Sequence, residues 1–291
     1  MTKSQKNRIV VVARYVILTA WALIVVFPLY WTVSTSFKPS EQWFSWPPVY
    51  FPDPLTLDNY LNVWGELQEY ASTVYATSMQ RPWIALGNSL LISFSATTLA
   101  VLYGAVIAYG VSRYKVLSDA RMFQLLMLRM IPPIVIVAPL SLYYSELGLL
   151  DSAFGLILIY FLTSLPYAVW MIKSFIDEVP REVEQAAEIL GAPRWRTLLE
   201  VVLPLVRSGL VATFLFILIL TWSEYLLALI LSKTEVVTLP VELSKYQGTT
   251  EGRVYGRQAA LSVGITIPLI IIGLIIRKHL ARGFSFGMIR R

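Results

Sequence analysis

The chain has 291 residues, of which 56% are hydrophobic and 14% are charged, and its formal net charge is +6. Soluble domains carry charge on about a quarter of their residues, so this composition excludes an ordinary soluble protein and indicates an integral membrane protein. The sequence contains no cysteine, which excludes disulfides and cysteine-ligated metal or redox sites. The excess basic residues fall mainly beside apolar segments, so they indicate membrane topology rather than nucleic-acid binding.

Apolar runs long enough to cross about 30 Å of hydrocarbon recur along the chain. The predicted fold class is therefore all-α and membrane-embedded, with a single transmembrane domain over residues 1–291. The six predicted spans are residues 15–35, 83–109, 122–144, 153–175, 208–231 and 258–276. Seventeen lysines and arginines lie on the side that holds both termini and six lie on the other side, which predicts cytoplasmic termini.

Two spans carry additional signals. In the second, Ala100, Gly104 and Ala108 recur every four positions, and this stripe of small residues predicts the close approach of another helix. In the third, Pro132 and Pro133 predict a break in the helix. At such a break, backbone N–H and C=O groups lose their helical hydrogen-bond partners, and within the membrane they need protein or water around them. The third span is therefore expected to lie beside a water-filled pathway.

Arg129 lies in the third span, just before the proline pair. It follows Arg121 by eight residues, which by helical rise is roughly 12 Å into the hydrocarbon. In one interpretation its side chain extends back to the headgroups or pairs with a carboxylate. In the other it faces the pathway and attracts an anionic solute, because intramembrane charges are usually functional.

Residues 177–204 form an amphipathic, charge-rich insert between two apolar spans. Pro180 suits the start of a helix over Arg181–Leu190, and Gly191 suits its end. A second helix is predicted over Arg194–Val202. The insert therefore has the pattern of a helix, a turn and a second helix.

The spacing within the insert is specific. Gln185, Ala186 and Ala187 are followed after three residues by Gly191, and after nine more by Val201, Leu203 and Pro204. This pattern resembles the EAA loop of inner-membrane subunits of ATP-binding-cassette importers. The sequence departs from it at Gln185, where the family usually has Glu, and at Leu190, where an Asp often precedes the glycine; Glu184 is then the candidate for the acidic role.

The resemblance implies a type I importer transmembrane fold in which the insert is cytoplasmic and docks into a cleft of a separate ATPase. The residues expected to couple to that ATPase are Glu184, Gln185, Ala186, Ala187, Gly191, Leu203 and Pro204. The alternative is an amphipathic hairpin on the membrane surface. The chain lacks the phosphate-cradle motif, so it is expected to be no enzyme and to bind no cofactor directly. ATP and Mg²⁺ would be used by the partner ATPase.

Other segments resemble the maltose-type carbohydrate importers of the same superfamily. These are FPLYW and LTLDNYLNVW near the N-terminus, TWSEYLLALIL and TLPVELSKYQG further on, and the terminal ARGFSFGMIRR. The resemblance implies a permease of the bacterial-type inner membrane that imports sugars or oligosaccharides. Its implied partners are a homologous permease subunit, two ATPase subunits, an extracytoplasmic solute-binding protein and the lipid bilayer, without nucleic acid.

Two further groups of residues are candidates for function. Arg129, Tyr143, Tyr144 and Glu224 are candidates for the substrate pathway, although aromatic residues in spans are more often interface anchors and Glu224 equally suits a hydrated helix end. Lys245, Tyr246, Gln247 and Gly248 belong to the loop expected to contact the binding protein, in which Gly248, Gly252 and Gly256 predict a mobile tip.

Alternatives remain open for the cargo and the class of transporter. The cargo can be an acidic, uronate oligosaccharide or a non-carbohydrate solute in the same architecture. An ion-coupled transporter or channel would predict an internal repeat and mid-membrane carboxylates. The sequence shows no such repeat, and acidic residues are nearly absent from the span centres. A membrane enzyme would need paired carboxylates, a metal cluster or a nucleophile–base set in the spans.

Overall fold

The computed structural model describes residues 3–65, 81–128, 131–246 and 254–286, and within these ranges the chain contains helices and no strands. The longer α-helices are α1 (Lys3–Ser36), α3 (Pro82–Tyr114), α4 (Asp119–Leu128), α5 (Pro133–Glu146), α6 (Ala153–Asp177), α10 (Arg207–Trp222) and α13 (Tyr255–Phe286). The shorter ones are α2 (Asp58–Trp64), α7 (Arg181–Ile189), α8 (Arg194–Arg196), α9 (Leu203–Leu205), α11 (Leu226–Leu231) and α12 (Leu239–Lys245). The all-α prediction is confirmed.

Four of the described helices are long and apolar enough to cross a membrane. The crossing segments are Val11–Ser36, Pro82–Tyr114, Ala153–Asp177 and Tyr255–Ile275. They coincide with the first, second, fourth and sixth predicted spans.

The third predicted span is divided between α4 and α5. Helix α5 begins at Pro133, with Pro132 as its N-cap, and a proline at this position lacks only an N–H that would have had no helical partner. The predicted break at the proline pair is therefore confirmed. Arg129 lies outside the described residues.

The fifth predicted span is also divided, which the sequence did not indicate. Helix α10 ends at Trp222, and α11 begins at Leu226 after a short non-helical link. In the link, the side chain of Glu224 accepts a hydrogen bond from the backbone N–H of Leu227 (3.1 Å), which satisfies a donor at the start of α11. At its other end, α10 meets the segment Arg194–Leu205 at a bend of 80°.

The described chain divides into two compact units, and the larger comprises residues 82–242 and 267–291. Its core includes the contact between α3 and α6. A Cβ on Gly104 would lie 2.7 Å from the Cβ of Ala168, so the two backbones approach more closely than a larger residue allows. Ala100 and Ala108 are fully buried on the same stripe. The helix contact predicted from the small residues is confirmed.

The smaller unit comprises residues 1–81 and 243–266. The side-chain amide of Asn59 donates to the backbone carbonyls of Ser36 (3.0 Å) and Lys38 (2.9 Å), which fixes α2 beside the end of α1. Gly256 is buried in α13, where a Cβ would lie 2.6 Å from the Asn59 amide. Its place in a predicted mobile tip was therefore wrong, because the packing of α13 requires a residue without a side chain at this position.

Candidate functional site

The insert begins with helix α7 and turns sharply after it. Pro180 caps α7 with a φ of −59°, and the turn is made by Gly191 with a φ of +85°. The N–H of Gly191 donates to Glu188 (2.9 Å) and that of Ala192 to Ala187 (3.0 Å), which satisfies carbonyls at the helix end. Glycine adopts this left-handed conformation without steric cost, so the structure explains why a glycine suits the turn.

The second half of the insert is helical but irregular. Between α8 and α9, residues Thr197–Val202 form a π-helical segment instead of the predicted regular helix. From the α-helical repeat, Leu198, Leu199 and Val202 are expected on one apolar face; Leu198 and Val202 are buried, whereas Leu199 is exposed. A π-helix has i→i+5 hydrogen bonds, so the rotation between successive residues differs from that in an α-helix. Residues that would share one face of an α-helix therefore do not all lie on the same face in this segment.

A buried ion pair joins the insert to α3. Glu184 on α7 is only 7% exposed, and its carboxylate accepts from Nε (2.6 Å) and pairs with Nη2 (2.5 Å) of Arg113. The hydroxyl of Tyr109, one helical turn before Arg113, donates to the other carboxylate oxygen of Glu184 (3.0 Å). Both oxygens of this carboxylate are therefore occupied within the chain.

Arg113 also connects α3 to the end of α6. Its Nη2 donates to the backbone carbonyls of Ile176 (3.0 Å) and Val179 (2.9 Å), which lie where α6 ends and the insert begins. A guanidinium at a helix C-terminus satisfies free carbonyls and complements the helix dipole. Next to it, Asp177 accepts from Ser112 Oγ (2.5 Å) and from Lys173 Nζ (2.8 Å). The insert is thus fixed at its base by polar contacts to the two helices that pack together in the core.

The opposite side of α7 and the turn is exposed. Gln185, Ala186 and Gly191 are exposed, and Ala187 is half-buried. Two large apolar side chains project from the same end of the insert, Ile189 with 85% and Leu190 with 87% of its surface exposed. Leu203 is half-buried and Pro204 exposed. Exposed apolar side chains at the tip of a rigidly held segment are typical of a contact surface for another protein.

The structure separates Glu184 from the exposed residues of the motif. Its carboxylate faces its own chain, so in this conformation it offers no acidic group to a partner. In the structure Glu184 braces the insert from inside, and its coupling to an ATPase stays a prediction. Of the neighbouring residues Glu184 and Gln185, it is Gln185 that is exposed, at the position where the family usually has a Glu.

The described pathway candidates differ in their surroundings. Tyr143 is exposed. Tyr144 is buried, and its hydroxyl donates to the backbone carbonyl of Gly155 (3.1 Å), so it packs α5 against the start of α6. Glu224 is half-buried and caps α11. The contacts of Tyr144 and Glu224 are those of structural residues, and a direct contact of either with cargo stays a prediction.

Part of the loop expected to contact a binding protein is described. Lys245 ends α12 and is half-buried, and Tyr246 is buried, so its ring faces the protein interior. Gln247 and Gly248 lie outside the described residues. A contact of this segment with a partner stays a prediction, and Tyr246 would have to move to take part in it.

One carboxylate organises the segment that follows α11. Asp151, in the turn between α5 and α6, accepts hydrogen bonds from four consecutive backbone N–H groups at 2.9–3.1 Å, those of Lys233, Thr234, Glu235 and Val236. Its own N–H donates to the carbonyl of Leu231 (2.8 Å). Partial burial disfavours the charged form, but the four N–H groups outweigh it and hold the pKa of Asp151 at about 2, below its usual 3.8.

Replacing Asp151 with Asn is expected to loosen residues 233–236, because an amide nitrogen cannot accept the N–H groups that one carboxylate oxygen now receives. Since the folded pKa is depressed, the stabilisation is complete above pH 3.8 and is lost as the pH falls towards 2. Between pH 7 and pH 3, the free energy of unfolding should fall further in the wild-type protein than in D151N, by at most about 1 kcal/mol. Thermal unfolding of both proteins across this pH range measures the difference in stability. If the stabilities of the two proteins change with pH in parallel, the prediction is contradicted.

Sequence reasoning missed the structural roles of Arg113 and Asp151. Arg113 contributed only to the count of lysines and arginines on the side of the termini, and the sequence assigned no role to Asp151. No local sequence pattern indicated either role; in the structure Asp151 has a φ of +54°, which Asp tolerates better than most residues. The partners of Arg113 lie 63 to 71 positions away in the sequence.

The chain is similar to known membrane transport proteins in sequence and in fold. Residues 77–286 match the family described as the binding-protein-dependent transport system inner membrane component. The chain is 31% identical over 266 residues to the trehalose transport system permease protein SugB of Mycobacterium tuberculosis, covering 90% of this chain and 92% of that one. It is 29% identical to the trehalose/maltose transport system permease protein MalG of Thermococcus litoralis, covering 92% and 93%.

Among solved structures, a chain of a bacterial ABC transporter involved in the import of the acidic polysaccharide alginate superposes with a TM-score of 0.75. The two are 20% identical, and the match covers 96% of this chain and 98% of that one. The likeness shows a shared fold. With the family match over most of its length, the chain belongs to the inner membrane components of binding-protein-dependent transport systems.

Proposed function

We propose that this chain is the membrane permease subunit of an ATP-driven importer of sugars or oligosaccharides, forming half of the translocation pathway. The observation that carries the proposal is the insert, which is braced from inside by Arg113 and Glu184 while Ile189 and Leu190 project outwards. The family match and the sugar permeases named above support it. A segment rigid at its base and apolar at its tip suits the transmission of movement from a partner to the helices that hold it.

The proposed topology has six crossings with both termini in the cytoplasm. Four crossings correspond to the long apolar helices. The other two would each consist of two pieces, α4 with α5 and α10 with α11. Non-helical backbone at membrane depth is tolerated beside protein or water, so these two crossings are the ones expected beside the pathway. The distribution of lysine and arginine supports the orientation.

The proposed coupling surface is the exposed side of the insert, with Gln185, Ala186, Ala187 and Gly191 at its centre and Leu203 and Pro204 at its far end. ATP would be hydrolysed with Mg²⁺ by separate ATPase subunits that receive this surface. Glu184 would contribute indirectly, by keeping α7 attached to α3 when the ATPase moves.

The proposed assembly contains a second, homologous permease subunit, two ATPase subunits and an extracytoplasmic binding protein. Support for a membrane neighbour comes from α1, on which large apolar side chains such as Trp21 and Ile24 are about two-thirds exposed along the crossing segment. Lipid or the second permease subunit would cover this helix.

A second candidate cargo is an acidic oligosaccharide. The observation that favours it is the alginate importer, whose fold this chain shares. Arg129 would then be the residue to attract the carboxylates.

The proposed function is tested by the ATPase activity of the complex, purified with its co-encoded partners in lipid. The assay adds binding protein loaded with trehalose, maltose, diacetylchitobiose or alginate oligosaccharides. Stimulation by one loaded binding protein, and not by the empty one, is the expected result, and the effective sugar distinguishes neutral from acidic cargo. An intact complex that no sugar stimulates would contradict the carbohydrate assignment.

A further inference from the structure

A cavity of about 300 Å³ lies within the smaller unit, between the end of α1 and the start of α13. Its lining is aromatic and polar: Trp31, Thr32, Thr35, Trp43, Tyr255, Gln258, Ala259 and Ser262. The volume is at the lower end of the range for small-molecule sites. A cavity of this size accommodates one sugar ring or a group of similar bulk.

Three aromatic side chains, Trp31, Trp43 and Tyr255, contribute to the lining and are half-buried. Half-buried aromatic rings offer flat apolar faces to a ligand, and the C–H face of a pyranose ring is a suitable surface to stack on them. Trp43 is held in place because its indole N–H donates to the backbone carbonyl of Lys38 (3.1 Å). This part of the wall is therefore formed before any ligand arrives.

The lining also contains a buried hydroxyl that lacks a partner. Thr35 is 9% exposed, and its Oγ1 has no hydrogen-bond partner in the structure. A buried hydroxyl without a partner costs free energy. Because Thr35 is a lining residue, a ligand hydroxyl that reaches its Oγ1 would recover that cost. Gln258 and Ser262, on one face of α13, add a side-chain amide and a hydroxyl to the same lining. A sugar ring, with hydroxyls around its edge, matches this set of groups.

The eight lining residues are all uncharged. Lys38 lies nearby, with its Nζ 3.8 Å from the ring centre of Trp31, but it is almost fully buried and is not part of the lining. Burial lowers the pKa of Lys38, so the protein interior does not favour its charge. A carboxylate in the cavity would gain no ion pair from the lining and would lose its hydration, which favours a neutral ligand.

The cavity wall is built by close packing. A Cβ on Gly256 would lie 2.6 Å from Trp43 Nε1, so α13 approaches the aromatic wall more closely than any other residue would permit. From the other side, the indole N–H of Trp64 on α2 reaches the carbonyl of Ala260 on α13 (3.4 Å). These contacts hold α13 in the register that places Gln258 and Ser262 in the lining.

We propose that this cavity is a binding subsite for one uncharged pyranose ring of the transported saccharide. Trp31, Trp43 and Tyr255 would stack on the ring, and Thr35 and Gln258 would hydrogen-bond its hydroxyls. The inference rests on the proposed function and deepens it, because it assigns the cargo to the neutral class. With the proposed topology, the end of α1 faces outwards, so the subsite would receive cargo on the side where the binding protein delivers it.

The test is direct binding of radiolabelled trehalose, maltose and diacetylchitobiose to the full complex in nanodiscs, without binding protein. Thr35→Val keeps the side-chain shape and removes the hydroxyl, and Gln258→Leu removes the amide. Each should weaken binding about three- to tenfold, as expected for one lost hydrogen bond between neutral groups. The matched control is Thr266→Val, an exposed threonine one turn after Ser262 on α13 and outside the cavity, which should bind like the wild type.

The outcomes separate this inference from the proposed function. Wild-type affinity in both T35V and Q258L, or equal binding of alginate oligosaccharides, would overturn the neutral subsite while ATPase stimulation by loaded binding protein still supported import. Native mass spectrometry tests for a bound lipid. If the wild-type complex retains a phospholipid that Q258L loses, and no sugar is bound, the cavity is a lipid site and the proposed sugar subsite is overturned. Failure of stimulation with every loaded binding protein contradicts the proposed function, whereas sugar binding that depends on Thr35 supports the subsite directly.

Discussion

Replacing Arg113 with Leu is expected to release the insert from the body of the protein. The substitution leaves the carboxylate of Glu184 buried with only the Tyr109 hydroxyl as a partner, and it frees the carbonyls of Ile176 and Val179. Removing one partner of a buried ion pair costs about 3–5 kcal/mol, because an uncompensated charge stays in a poorly hydrated site. We expect a loss of this size in the opening free energy of α7 and a loss of sugar-stimulated ATPase activity.

Hydrogen exchange over residues 181–192, in the assembled complex, measures the opening, and the ATPase assay measures its consequence. The matched control is Arg196→Leu, which removes another Arg–Glu ion pair of the same insert, with Glu200 (3.0 Å), but one that is largely exposed. Exposed pairs of this spacing contribute about 0.3–0.5 kcal/mol, so the hydrogen exchange of this variant should match that of the wild type.

A double variant, Arg113→Leu with Glu184→Leu, separates the effect of losing the ion pair from the effect of leaving one buried charge without a partner. Removing both charges should recover part of the protection lost in the single variant. Wild-type exchange in R113L, or equal effects of R113L and R196L, would show that the buried pair does not hold the insert. Intact exchange combined with lost ATPase stimulation would instead assign Arg113 a direct contact with a partner.

The features that sequence alone predicted are those set by neighbouring residues. The turn at Gly191, the break at Pro132 and the contact at Gly104 each follow from the backbone or the size of one residue. The break between α10 and α11 was missed because the run from 208 to 231 is apolar throughout most of its length, and hydropathy does not report a capping contact such as that of Glu224.

The polar contacts of Arg113 and Asp151 could not be predicted from the sequence for a different reason. Arg113 is 71 positions from Glu184, and Asp151 is 82 to 85 positions from the amides it binds. Without the packing of α3 on α6, nothing in the sequence selects these partners over other charges. The orientation of α7 was equally hidden, because neighbours on a helix point about 100° apart and the motif does not indicate that Glu184 faces inwards while Gln185 faces outwards.

The second large effect is expected at the tip of the insert. Placing Asp at Leu190 or Ile189 should weaken association with the ATPase subunits by about 2–4 kcal/mol, which is roughly thirty- to thousandfold. Both side chains are almost fully exposed, so the substitution costs little in the isolated chain. In a complex, the same carboxylate would be buried in an apolar contact without a partner, and that is unfavourable.

Co-purification of the ATPase with the tagged permease, at a series of salt concentrations, measures the effect. Leu147→Asp is the matched control, because Leu147 is also largely exposed but follows α5 at the end predicted to lie outside, where no ATPase can reach it. The control should retain the ATPase and the thermal stability of the wild type. If L190D and I189D also retain the ATPase, the apolar tip is not the docking surface, and the alternative of a hairpin lying on the membrane gains weight, since a bilayer would be the remaining apolar partner for these two side chains.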